Sequence, residues 1–288
     1  MPVATKIIRS RIKSVKNTRK ITKAMELVAA SKMRKATEAA VTSRPYSEAA
    51  ETILREIGGH GGARKHPLLR KPTAVKNELL IVVTSDKGLC GGLNANIIRA
   101  ALDYKKTQEA RGISIKIATV GKKGRAPLAK NGAELIADFT NITDVIDFLK
   151  IRQVGMLAME EFNARRVDQV SILYTHFQSA LVQKPILKNV LPLTLKEEGP
   201  KLHDTKLFEP SAVIVYREML PRFLEGEVYH AILEAVASEH SARMLAMRNA
   251  SDAADEITDD LTLTYNQARQ AGITQEIAEI AGGAAALG

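Results

Sequence analysis

Residues 7–33 read IIRSRIKSVKNTRKITKAMELVAASKM, and residues 268–287 read ARQAGITQEIAEIAGGAAAL. In the first, Ile8, Ile12, Val15, Thr22, Met25, Ala29, Met33, Ala36 and Ala40 recur at steps of three and four, with a gap around Arg19. That is the period of one helix face. Working back from the second stretch, Phe223, Leu233, Val236, His240, Met244, Met247, Ala254, Ile257, Leu261, Tyr265 and Ala268 continue the same spacing. At 1.5 Å per residue the C-terminal helix would be roughly 100 Å long, and the N-terminal one, carried on to Ile57, roughly 80 Å. A globular chain of this length has a radius of gyration of about 19 Å, so such helices must cover each other's apolar stripes. Because they lie at opposite ends of one chain, the pairing predicted is an antiparallel coiled coil. Alanine recurs in both stripes, so where alanines face each other the axes can approach to about 8 Å.

The 288 residues are 45% hydrophobic and 26% charged, with 4% aromatic and no Trp, so aliphatic helix seams carry the packing. No apolar run approaches the roughly 18 residues that span a bilayer. The basic, amphipathic start runs on into the main helix stripe and reads as mature structure rather than as a targeting segment. Cys90 is the single cysteine, which excludes an intramolecular disulfide and suggests a reducing compartment. The net charge of +10 concentrates on the first helix, whereas Asp252, Asp255, Glu256, Asp259 and Asp260 crowd the last. A basic helix suits nucleic acid, an acidic surface or an acidic protein partner. The first aromatic residue is Tyr46, so the basic stretch has no stacking platform for nucleic acid.

Between the ends, residues 58–62 (GGHGG) break the helix and open an exposed linker. Strands are expected at 79–84, 113–120, 134–139, 169–177 and 187–193, the last flanked by Pro185 and Pro192. Helices alternate with them, and Thr143 is the expected cap of the helix that follows it. The division predicted is an N-terminal helix over 1–57, a linker over 58–77, a small Rossmann-like α/β domain over 78–209 and a C-terminal helix over 210–288. Pro221 fits the first turn of that last helix.

Chemistry is scarce. The turn at Gly88–Asn94 joins a strand to a helix, as phosphate loops do. However, its glycines match neither GxGxxG nor GxxxxGK[ST], and Lys87 precedes them. It reads as a tight turn, and Cys90 within it as a small buried hydrophobe. The six histidines form no HxxxH pair, and no cofactor or metal is expected. Adjacent carboxylates such as Asp259 and Asp260 diverge by about 100 degrees on a helix and share no site. The end of the last helix, Gly282–Leu287, is small, uncharged and apolar; such a tip could slide in an apolar collar, since hydrophobic contact is non-directional.

Three segments carry a resemblance: ITKAMELVAASKM at 21–33, SDKGLCGGLN at 85–94 and ARQAGITQEIAEIAGGA at 268–284. Through them the chain resembles the gamma-subunit family of the F-type ATP synthases over essentially its whole length. The family's C-terminal signature is met by Ile273, Thr274, Glu276, Glu279, Gly283 and Ala284. The resemblance implies a central shaft turning inside a ring of three alpha and three beta subunits. The α/β domain would lie near the epsilon subunit and the membrane-embedded c-ring. Proton flow would drive rotation, with the shaft regulating catalysis and proton flow but binding no nucleotide itself. It also implies that Met25, Arg269 and Gln270 meet loops of the beta subunits. The regulatory cysteine insert of plastid forms is absent, which implies a bacterial chain, peripheral on the cytoplasmic face of the cell membrane and held there only through the complex. A helical-hairpin adaptor and a basic-helix nucleic-acid binder are the alternatives.

Overall fold

The computed structural model describes residues 3–57, 66–143, 147–194, 209 and 211–287. Residues 58–65 of the expected linker, the 195–208 segment and the side chains of the apolar tip from Ala285 onward lie outside the described residues. In chain order the elements are α1 (Val3–Ile57), β1 (Asn77–Val83), α2 (Leu93–Glu109), β2 (Ser114–Val120), α3 (Lys122–Lys130), β3 (Glu134–Phe139), α4 (Phe148–Asn163), β4 (Gln169–Phe177), β5 (Gln183–Leu191) and α5 (Ala212–Leu287). The chain divides into two compact units, Met1–Ala29 with Arg243–Gly288, and Ala30–Ala242.

In the larger unit the five-stranded sheet has the order β3-β2-β1-β4-β5. All pairs are parallel except β4 with β5, which is antiparallel. β1 is buried on both faces, as its unbroken apolar run requires. Its side chains alternate between two cores. Leu79, Ile81 and Val83 pack with Ile151, Val154 and Phe162 of α4 and with Leu220, Leu224 and Ile232 of α5. Leu80 and Val82 pack on the other face with Ile97 and Ala101 of α2 and Leu128 of α3. The first core also takes Ala36 and Leu54 of α1.

Several boundaries differ from the sequence reading, each for a local reason. Helix α5 starts at Ala212 and runs through Pro221 instead of starting there. The hydrogen bond that the proline forfeits is offset by four residues buried at helical spacing around it, Tyr216, Leu220, Leu224 and Val228. Thr143 does not cap α4. Its N–H and hydroxyl both donate to Asp86, and Asp147 caps α4 by accepting from the Leu149 N–H at 3.0 Å. Pro185 lies inside β5 rather than beside it, which an edge strand permits because its outer side needs no donor.

In the smaller unit the two helices run antiparallel. Thr22 Oγ1 and Ser251 Oγ meet at 2.7 Å, and Arg19 reaches Asp255 at 2.5 Å. Going up one helix is therefore going down the other. Arg19 fills the gap noted in the α1 stripe. Along α5 the residues turned inward are Met247, Ser251, Ala254 and Thr258, then Leu261, Tyr265, Ala268 and Gly272. Steps of four and three in strict alternation average 3.5, the repeat of a left-handed coiled coil. Thr258, not Ile257, occupies the seam, and Ile257 is 49% exposed. The hydroxyls do not oppose burial. Thr258 donates to Ala254 O at 2.7 Å and Ser251 to Met247 O at 2.9 Å, and Ser251 Oγ also meets Thr22 Oγ1 across the seam, so neither hydroxyl is buried without a partner.

Candidate functional site

The crevice where a doubly wound sheet takes its ligand lies at the carboxyl ends of β1 and β4, where strand order reverses. Here the loop groups are committed to one another. The Ser85 N–H donates to Asn94 Oδ1 at 3.0 Å, Asn94 Nδ2 donates to Ser85 Oγ at 2.7 Å and contacts Cys90 Sγ at 3.2 Å, and Ser85 Oγ donates to Lys87 O at 2.6 Å. Cys90 is buried beneath them. The start of α3, where a phosphate would gather amides, is already taken. Asp86 Oδ1 accepts from the N–H groups of Lys122 (3.2 Å) and Asn141 (2.9 Å), and Thr84 Oγ1 accepts from the Gly124 N–H at 2.9 Å. A phosphate there would have to displace a buried carboxylate of its own sign.

Backbone closeness seals the loop further. Gly121 has φ 89° and ψ 142°, and a Cβ at that position would lie 2.1 Å from the Thr84 carbonyl oxygen. Ala235 and Glu239 of α5 close the mouth, leaving a cavity of about 10 Å³. A small-molecule site needs about 300 Å³ or more. The glycine turn is thus the tight βα turn that its spacing suggested.

Two other buried carboxylates act as ties. Glu78 accepts from Ser171 Oγ at 2.5 Å and from the Tyr104 hydroxyl at 3.0 Å. Burial, and then the charge of Glu78, push Tyr104 up to about 12. Glu234 of α5 bonds His176 Nδ1 of β4 at 2.7 Å. Burial first, then that carboxylate, raise Tyr174 as well. Among the described residues no group of three metal-ligating side chains is assembled, and no helix is long and apolar enough to cross a membrane.

The exposed chemistry is on the smaller unit. Continuing the Thr22–Ser251 register, Val3 stands beside residue 270 or 271, so α5 beyond that point runs past the described start of α1. Arg269 and Gln270 are exposed there, as are Ile273, Thr274, Glu276, Glu279, Gly283 and Ala284 of the C-terminal signature. Glu279 accepts from Gln275 Nε2 at 2.9 Å, an exposed bond one turn apart. Ile273, Ile277 and Ile280 fall at steps of four and three, one face of the helix, and are 48%, 61% and 74% exposed. Arg269 precedes Ile273 by one turn on that face. The signature had drawn attention to Ile273 but not to Ile277 or Ile280, although their spacing alone marks them. Met25 is half-buried on α1, opposite residue 248 in the same register, so it is not gathered with Arg269. Some twenty residues of helix, about 30 Å, lie between the two levels.

A family profile described as "ATP synthase" matches residues 4–287. The ATP synthase gamma chain of Herpetosiphon aurantiacus is 44% identical over 287 residues, covering 97% of each chain. That of Roseiflexus castenholzii is 43% identical over 285 residues, covering 99% of this chain and 98% of its own. A chain of the Tetrahymena thermophila mitochondrial ATP synthase central stalk and c-ring structure superposes with a TM-score of 0.63 at 29% identity, covering 80% of this chain and 99% of that one. A chain from the Euglena gracilis mitochondrial OSCP/F1/c-ring structure gives a TM-score of 0.67 at 21% identity, covering 99% and 94%, a likeness of fold. Similarity of this extent leaves the adaptor and nucleic-acid readings without support. Antiparallel terminal helices, a small mostly parallel sheet with a sealed crevice, and full-length matches to gamma chains agree, and the chain belongs to the ATP synthase gamma-chain family.

Proposed function

We propose that this chain turns as the central shaft of a rotary ATP synthase, coupling proton flow to nucleotide chemistry performed elsewhere in the complex while doing none itself. The observation that carries this reading is the face of α5 formed by Ile273, Ile277 and Ile280, which no described element covers. Three β-branched side chains on one exposed stripe are a liability in water and an asset inside an apolar sleeve. A contact of that kind holds without fixed registers, since hydrophobic attraction has no direction. Arg269 and Gln270, one turn before the stripe, are the groups through which the shaft would engage carboxylates of beta-subunit loops, with Met25 a second contact lower on α1. The guanidinium can form paired charge-assisted bonds there. The sleeve is then a ring of three alpha and three beta subunits, with epsilon and the c-ring meeting the α/β domain. Attachment to the cytoplasmic face of a bacterial membrane would be through the complex alone. The domains act accordingly: helices over 1–57 and 210–288 form the shaft, 58–77 links, and 78–209 docks.

The test is reconstitution of the full chain with alpha and beta subunits. An assembly with three copies of each and one of this chain, active in ATP hydrolysis, is the expected result. Arg269→Ala and Met25→Lys should then lower hydrolysis or its coupling while the assembly persists. Failure to assemble, or full coupling with Ile273, Ile277 and Ile280 all changed to Asn, overturns the proposal.

A further inference from the structure

The cavity of about 10 Å³ at the carboxyl ends of β1 and β4 is lined by Thr84, Ser85, Thr143, Thr175, Ala235 and Glu239, among others. Its hydroxyls are not equivalent. Thr84 Oγ1 bonds Val120 O, Gly121 O and the Gly124 N–H, Ser85 Oγ bonds Lys87 O and Asn94, and Thr143 Oγ1 bonds Asp86 twice. Thr175 Oγ1 is different. The residue is 3% exposed, and its hydroxyl meets no hydrogen-bond partner among the described residues. Its own carbonyl is bonded, accepting from Ser238 Oγ of α5 at 2.9 Å. A buried hydroxyl with nothing to bond is rare in native proteins and signals a solvent partner. A water needs about 10–15 Å³ for its centre and two to four polar neighbours. The space meets the lower bound. Thr175 Oγ1 supplies one neighbour, and Glu239, which lines the same cavity and whose carboxylate has several lone-pair sites, is the group proposed to supply another.

We propose that this crevice is a single-water site, in which one buried molecule links Thr175 of β4 to Glu239 of α5. Helix α5 and one water together then fill the position that a nucleotide takes in other doubly wound sheets. The water extends by one residue the tie that Ser238 makes to the Thr175 carbonyl, so β4 holds α5 through adjacent direct and solvent-mediated bonds. The inference rests on the larger unit alone and stands apart from the shaft reading.

Thr175→Val in the full chain tests it, because the substitution keeps the shape and removes only the hydroxyl. If a water is bonded there, the valine chain loses one long-lived buried water in ¹⁷O relaxation dispersion and its thermal midpoint falls by about 2–4 °C. If the hydroxyl is orphaned, valine relieves an unpaired group. The midpoint then stays or rises and the water count is unchanged, and either result overturns the proposal. A density map of the unaltered chain decides independently of how the variant folds. A solvent peak within about 3.2 Å of Thr175 Oγ1 supports the site, and a map that resolves neighbouring waters but has none there refutes it.

Discussion

Replacing Gly121 by alanine should be the most damaging single-methyl change in the larger unit. Gly121 joins β2 to α3 with φ 89° and ψ 142°, a region essentially restricted to glycine. Backbone strain alone amounts to about 1–3 kcal/mol. The added Cβ would also stand 2.1 Å from Thr84 O and 2.7 Å from Thr84 C, atoms of a strand end that cannot swing aside like a side-chain tip. Separation of β1 from β2 at this end must follow. That movement stretches the bonds from Thr84 N to Val120 O (2.7 Å), Thr84 Oγ1 to Gly121 O (3.0 Å) and Lys123 N to Ser85 O (3.0 Å). At about 1 kcal/mol net for each, two or three weakened bonds add about 2–3 kcal/mol. A loss of about 4–5 kcal/mol is the expected total, which is exceptional for one methyl group. Gly132→Ala is the internal control, since Gly132 has φ 71° but nothing within 4 Å of its added Cβ, so it isolates backbone strain at about 1 kcal/mol. Urea unfolding of the full chain followed by circular dichroism measures both. If Gly121→Ala loses no more than Gly132→Ala, the close approach to Thr84 is not what fixes this turn.

Asp86→Asn turns an acceptor oxygen into a donor facing either the Lys122 and Asn141 N–H groups or the N–H and hydroxyl of Thr143. Two charge-assisted bonds are lost, and a drop of about 3 kcal/mol in urea stability is expected. An unchanged midpoint counts against the network. His66 Nδ1 accepts the Leu68 N–H at 3.2 Å, and burial followed by the charge of Arg217 lowers its pKa from 6.5. The unfolded chain therefore takes up the proton first as pH falls. This contribution to stability is full above pH 6.5 and declines between 6.5 and the lowered folded value. His66→Asn, which keeps an acceptor, should flatten thermal stability against pH in that window, and an identical slope refutes the assignment. Ser251→Leu forces a large side chain into a seam of small residues beside Thr22. Calorimetry should register a loss of about 2 kcal/mol, and a neutral result means that the helices are not in van der Waals contact there.

The terminal helices were legible because period and length speak in sequence without tertiary help. Hydrophobicity alone does not decide which residues of these helices face inward. That criterion selects Ile257 as the member of the stripe after Ala254. The 3.5-residue repeat instead brings Thr258 inward, and its hydroxyl finds Ala254 O within its own helix. Arg19 looked like an interruption until Asp255 was opposite it. The α/β domain followed from buried β-branched runs, but Thr143 and Asp147 are both plausible caps at sequence level. Only Asp86, fifty-seven positions upstream of Thr143, determines which one is free to act. The sealing of the crevice was beyond sequence altogether. It depends on Ala235 and Glu239 arriving from a helix more than 140 residues after the glycine turn.

Along α5 burial does not follow polarity alone. Glu225, Glu234, Ser238, Glu239, His240 and Ser241 are buried, whereas Ile273, Ile277 and Ile280 are exposed. Several of these buried polar groups are tied to neighbouring elements: Glu225 to Arg152 of α4, Glu234 to His176 and Ser238 to Thr175 O of β4, and Ser241 to Ala180 O just beyond that strand. Such bonds have direction and length, so they specify one seating of the helix against the sheet and resist its sliding. Among the described residues, the isoleucine face has no such partners. A partner laid over it would be held by contact area, since hydrophobic attraction has no direction. One helix therefore carries two kinds of surface, a polar one that fixes it within its own domain and an apolar one that would tolerate movement against a different molecule. A shaft that must turn with its own domain while slipping past its surroundings requires that order of polarity.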